Sequence, residues 1–165
     1  MTVTKIVRAL PAVALAGILA GATVVGSPAA QADNRRLNES VAVNVYTIQQ
    51  HADCETDLKV NPQLQLAAQW HTNDVLRNRA LNGDIGSDGS TVQMRANNAG
   101  FVGTVSETVA INPALAISGI EIMNQWYYRP DYMAIMSNCA NTQIGVWSEN
   151  ALDRSVVVAV YGQPG

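Results

Sequence analysis

Ser155-Val156-Val157-Val158-Ala159-Val160-Tyr161 is the stretch on which the fold turns. A β-strand sends successive side chains to opposite faces, so a strand wetted on one side alternates apolar with polar residues. This run does not alternate; Val156-Val157-Val158 is continuously apolar, which is the pattern of a strand covered on both faces. Just upstream, Gln143 to Ser148 reads as a second strand, joined to the first by a short polar connection, so the two form an antiparallel hairpin. A sheet buried on both faces needs helices on both sides. The expected fold is therefore α+β, a three-layer α-β-α sandwich around a small, mostly antiparallel sheet.

The helices are legible upstream. Leu37, Val41, Val45 and Ile48 recur at helical spacing, so residues 35–50 read as an amphipathic helix. Asn61-Pro62 is a helix start, with Asn as cap and Pro at the first helical position. Leu64, Ala68, His71 and Val75 lie on one face of the helix that follows, to about Arg79. Leu81 to Gly89 is a loop, and Ser90 or Thr91 caps a short helix through about Asn98, ended by Gly100 and Gly103. Glu107 to Ile111 reads as a strand. Asn112-Pro113 repeats the cap-plus-proline start and predicts a third long helix through Leu115, Gly119, Ile122 and Trp126, with a short helical turn from Pro130 through Met136.

The first residues belong to a different signal. Lys5 and Arg8 precede an almost wholly apolar stretch from Ala9 to Val25, Pro28 interrupts any helix, and Ala30 and Ala32 fit a signal-peptidase site with cleavage before Asp33. Residues 1–32 are thus expected to be a signal peptide and residues 33–165 a single domain, secreted or held in the cell envelope. The whole chain carries a net charge of −3; without Lys5 and Arg8 there are eight Lys+Arg against thirteen Asp+Glu, a net charge of −5. An acidic chain with no basic run is a poor binder of nucleic acid. No apolar run after the leader is long enough to span a membrane. Cys54 and Cys139 are the two cysteines, and an even count in an exported chain reads as one disulfide. A metal pair would need a third and fourth ligand close by.

Chemistry-bearing motifs are sparse. No Gly-x-Ser-x-Gly elbow occurs. Gly86-Ser87-Asp88-Gly89-Ser90 lacks the Lys and the glycine spacing of a phosphate-binding loop and reads as a turn feeding a helix cap. His71 is expected to pack in the core, and His51 to be solvated. Glu107 is either a groove carboxylate acting as a general base or, preferred, a buried acid satisfied by Arg129 or by backbone N–H groups, no histidine being available as its partner. Trp126 is expected in the core, while Tyr128, Arg129 and Tyr132 either line a groove mouth or pack inside.

The order of motifs carries a resemblance. Ala67-Ala68 with His71, the Gly86 to Ser90 loop, Ser106-Glu107-Thr108-Val109-Ala110, Trp126 closing a helix and Ile144-Gly145-Val146 near the end together resemble the CAP superfamily of cysteine-rich secretory, antigen five and pathogenesis-related proteins. The likeness spans roughly Leu37 to Gln163, and the placement of Cys54 and Cys139 resembles exported bacterial members. It implies an α-β-α sandwich. Many members line a groove with two histidines and acidic residues that in some bind a divalent metal. Here Asp84 stands in the first histidine position, Tyr132 in the second, Glu107 is retained, and Arg129 lies near a second acidic position. The resemblance therefore implies a degenerate groove around Asp84, Glu107, Arg129 and Tyr132, with no metal and no cofactor. The expected function is non-catalytic binding, by a monomer, of a lipid-like or peptide-like ligand or of an envelope protein. The alternatives are a protease-like hydrolase using Glu107, and a structural protein of the envelope with no small ligand.

Overall fold

The computed structural model describes residues 28–165. The expected signal peptide lies mostly outside the described residues. Helix α1 (Pro28–His51) is longer than the periodicity marks, and Pro28 is its first residue rather than an interruption. Proline suits a first helical position, where its missing N–H costs no hydrogen bond. The expected cleavage point, between Ala32 and Asp33, falls inside this helix.

The other elements are β1 (Lys59–Val60), α2 (Pro62–Arg77), α3 (Val92–Asn98), β2 (Gly103–Asn112), α4 (Gly119–Tyr127), α5 (Pro130–Met136), β3 (Gln143–Ala151) and β4 (Arg154–Pro164). The sheet order is β1-β3-β4-β2, with β4 antiparallel to both neighbours and β1 parallel to β3. The hairpin expected at the C-terminus is present, closed between paired Ala151 and Arg154.

Central β4 sorts its side chains between two cores. Val157, Ala159 and Tyr161 face α1, α4 and α5, packing with Val41, Val45, Ile122, Trp126 and Met136. Val156, Val158 and Val160 face α2 and α3, packing with Leu64, Ala67, Ala68, Val75 and Ala96. This two-sided burial is what makes the strand continuously apolar. Gly145 on β3 lies where a Cβ would collide with the α2 backbone at Leu64 and Gln65, so α2 approaches the sheet at backbone contact. Cys54 and Cys139 form a disulfide across 85 residues, tying the end of α1 to the segment before β3.

Asn61 and Thr91 cap α2 and α3 as their positions suggest, Asn61 accepting from the N–H groups of Gln63 and Leu64, Thr91 from that of Met94. The Asn112-Pro113 expectation is corrected. Asn112 remains in β2, paired with Ser155, and its side chain donates to the Ala116 carbonyl at 2.8 Å. The helix begins only at Gly119, under a capping box in which Ser118 and Glu121 satisfy each other's backbone N–H groups. Sheet pairing and a complete capping box outcompeted the isolated cap signal.

β2 is an edge strand, and side chains cover part of its outer rim. Gln93 donates to the Gly103 carbonyl and accepts from the Val105 N–H, at 2.9 and 3.2 Å. The Tyr132 hydroxyl accepts from the Val109 N–H at 3.3 Å. Gln125 accepts from the Ile111 N–H and donates to its carbonyl, at 3.2 and 3.1 Å. These amides imitate a neighbouring strand, which answers the tendency of a free edge to recruit other chains.

Candidate functional site

Glu107 lies in the middle of β2 and is 5% exposed. A carboxyl so buried needs partners. They come from the helices on the same face of the sheet. Arg95 of α3 donates from Nη2 to both carboxyl oxygens, at 2.9 and 3.1 Å. His71 of α2 places Nε2 at 3.6 Å from Glu107 Oε1 and donates to the Gly83 carbonyl at 2.8 Å. Arg129 is therefore not the partner of Glu107, and a histidine does stand beside it; both points correct the sequence reading.

Arg95 also organises the loop before it. It donates to the Ser90 carbonyl at 2.8 Å and to the Asp84 carbonyl at 2.8 Å. Asp74 holds the same loop from outside, accepting from the N–H and hydroxyl of Ser87 at 2.7 and 2.6 Å. Gly89, at φ 79°, makes the turn that glycine permits. The Gly86 to Ser90 run is thus a pinned turn feeding the α3 cap.

The electrostatics follow from burial. Desolvation pushes the Glu107 carboxyl up to about 8, against the pull of the Arg95 guanidinium. Desolvation, and then Arg95, hold the His71 imidazole below its ordinary 6.5. Both groups are shifted toward their neutral forms.

The four expected groove residues do not share one open surface. Asp84 is exposed and contributes its carbonyl to Arg95. Glu107 is enclosed. Tyr132 is 8% exposed, its hydroxyl spent on the β2 rim and its ring edge-on to Trp126 at 6.5 Å between centroids. Arg129 lies over the Tyr132 ring at 3.6 Å from its centroid and pairs with exposed Asp131. This set does not suit a divalent cation: a guanidinium occupies the oxygens of Glu107, and the Tyr132 phenol is committed to a backbone N–H. Among the described residues no group of three His, Cys, Asp or Glu side chains is placed to hold a metal.

The sequence reading missed Arg95. The available signal was a strand glutamate among small and apolar residues, preceded by a short helix whose only charge is Arg95.

An open cavity lies elsewhere, between α1 and α4. It measures about 240 Å³ and is lined by Asn44, Ile48, Met123, Asn124, Tyr127 and Tyr128, with Thr47 at its side. Tyr127 and Tyr128 meet edge to face with 5.4 Å between centroids. The side-chain amides of Asn44 and Asn124 have no hydrogen-bond partner among the described residues. The lining therefore combines apolar and aromatic surface with free, uncharged hydrogen-bonding groups.

Comparison with protein-family models finds no match. Comparison with curated proteins finds none either. Solved structures do match. An outer surface protein of Borrelia burgdorferi aligns at a TM-score of 0.69 and 15% identity, over 81% of this chain and 96% of the other. An extracellular SCP-domain protein of Bacillus anthracis aligns at 0.69 and 14% identity, over 84% of this chain and 44% of that one. A cysteine-rich secretory protein of Staphylococcus aureus aligns at 0.52 and 11% identity, over 76% of this chain and 39% of that one. The chain spans nearly the whole Borrelia protein and less than half of the other two. The fold is that of the CAP, or SCP, domain.

Proposed function

We propose that this chain is an extracellular, non-catalytic CAP-fold protein that binds a small amphipathic ligand between α1 and α4. The observation that carries the reading is the contrast between two places. The groove that the sequence resemblance implies, around Asp84, Glu107 and Tyr132, is filled here by the Arg95–Glu107–His71 cluster and by Tyr132. The α1–α4 cavity is open, aromatic and uncharged, with the side-chain amides of Asn44 and Asn124 on its lining. A ligand with a hydrocarbon portion against Ile48, Met123 and Tyr127, and an uncharged polar portion at the two amides, matches that lining. Export is supported by the basic-apolar leader, by the disulfide and by fold likeness to an outer surface protein and an extracellular protein. Among the described residues no helix is long and apolar enough to cross a membrane.

The test is a thermal-shift and fluorescence titration of the purified protein with monoacylglycerols and short apolar peptides. A ligand that binds only the folded state raises the melting temperature. Saturable binding that Met123→Arg abolishes and Asp84→Asn leaves intact is expected. Binding that survives Met123→Arg, or no shift with any of these compounds, refutes the assignment.

A further inference from the structure

The loop from Leu81 to Ser90 supplies the carbonyls that hold His71 and Arg95, and its least protected point is Asn82-Gly83. Asn82 is exposed and lies outside helix and strand. Neither its side-chain amide nor the Gly83 N–H makes a hydrogen bond among the described residues. Glycine after asparagine offers a backbone nitrogen with no side chain in front of it and the widest choice of backbone angles.

We infer that Asn82 is a site of spontaneous deamidation, and that its product loosens the loop's hold on the buried cluster. The Gly83 backbone nitrogen attacks the Asn82 side-chain carbonyl carbon. The new N–C bond closes a five-membered succinimide, the C–Nδ2 bond breaks, and ammonia leaves with the proton lost from the Gly83 nitrogen. Water then opens the ring at either carbonyl. Opening at the backbone carbonyl leaves an isoaspartyl link, with one more carbon in the main chain; opening at the other leaves aspartate.

The consequence is positional. The Gly83 carbonyl is the hydrogen-bond partner of His71 Nε2, and the next carbonyl, Asp84, receives Arg95 Nη2. An extra backbone atom immediately before Gly83 displaces both acceptors from buried donors. Either product also adds a negative charge beside exposed Asp84.

The structure provides a clean control. A Cβ built on Gly83 meets nothing within 4 Å, and Gly83 is not among the glycines with positive φ, so Gly83→Ala fits the native loop while hindering ring closure.

Purified protein is aged at mildly alkaline pH, and trypsin releases residues 80–95 by cutting after Arg79 and Arg95. Exchange of an amide for a carboxyl should accumulate at Asn82, partly isoaspartyl, faster than at any other asparagine and several-fold slower in Gly83→Ala. The aged isoaspartyl fraction should melt below fresh protein, while identically aged Gly83→Ala keeps its starting melting temperature. An unmodified 80–95 peptide, or equal rates in the two proteins, overturns the site. An unchanged melting temperature in the isoaspartyl fraction overturns the coupling to the cluster.

Discussion

Arg95 makes the contacts that render Glu107 tolerable inside the fold. Arg95→Met removes the hydrogen bonds that satisfy a buried carboxyl, so it should cost about 1–3 kcal/mol in chemical denaturation. The cluster also sets the sign of a pH dependence. The Glu107 carboxyl is raised from 4.5 to about 8, so its contribution to stability is complete below 4.5 and is lost as pH rises through 8. His71 is lowered from 6.5, so its contribution is complete above 6.5 and is lost as pH falls below that value. Just below 6.5 the two slopes oppose each other. Between 6.5 and 8 Glu107 acts alone, and stability should fall by about 1.4 kcal/mol per pH unit. Denaturation curves at both ends of that interval measure it, and a rise in stability there would contradict a raised Glu107. At Tyr132 the hydroxyl's bond to the Val109 N–H is worth about 1 kcal/mol, the loss expected for Tyr132→Phe.

Among the elements, β2 owes its protected edge to glutamines on α3 and α4. The double variant Gln93→Ala, Gln125→Ala uncovers the backbone groups of Gly103, Val105 and Ile111. Sedimentation should then show concentration-dependent association that the parent lacks. Elements were unequally legible in the sequence. α2 announced itself through Asn61-Pro62 and a one-sided apolar face. β1 is two residues long and exists only through its pairing with β3, a length at which no periodicity can register. The start of α4 was written as Ser118 and Glu121, a capping box whose members sit three apart, but Asn112-Pro113 offered a competing signal that sheet pairing overrode.

Across the whole molecule, β4 made the layered fold readable because its unbroken apolar run has one physical explanation, burial on both faces. The site was less readable. Glu107, Arg95 and His71 meet only once α2, α3 and β2 have packed, and spacing along the chain carries no record of that meeting. The α1–α4 cavity left no motif either; Asn44 and Asn124 are ordinary polar helix residues until the two helices are side by side. The Cys54–Cys139 bridge closes a loop of 85 residues, and the Cys54→Ser, Cys139→Ser pair should lower stability by about 2–5 kcal/mol in denaturant titrations.

In the proposed binding mode, ligand enters between α1 and α4 and not at the Glu107 cluster. Amide-resolved NMR during titration with a monoacylglycerol tests it in one experiment. Binding there should shift the side-chain NH₂ signals of Asn44 and Asn124 and the backbone of Met123 and Tyr127, with Asp84, Glu107 and Val109 unmoved. Shifts centred on Asp84, Glu107 and Tyr132, with α1 and α4 silent, would contradict it.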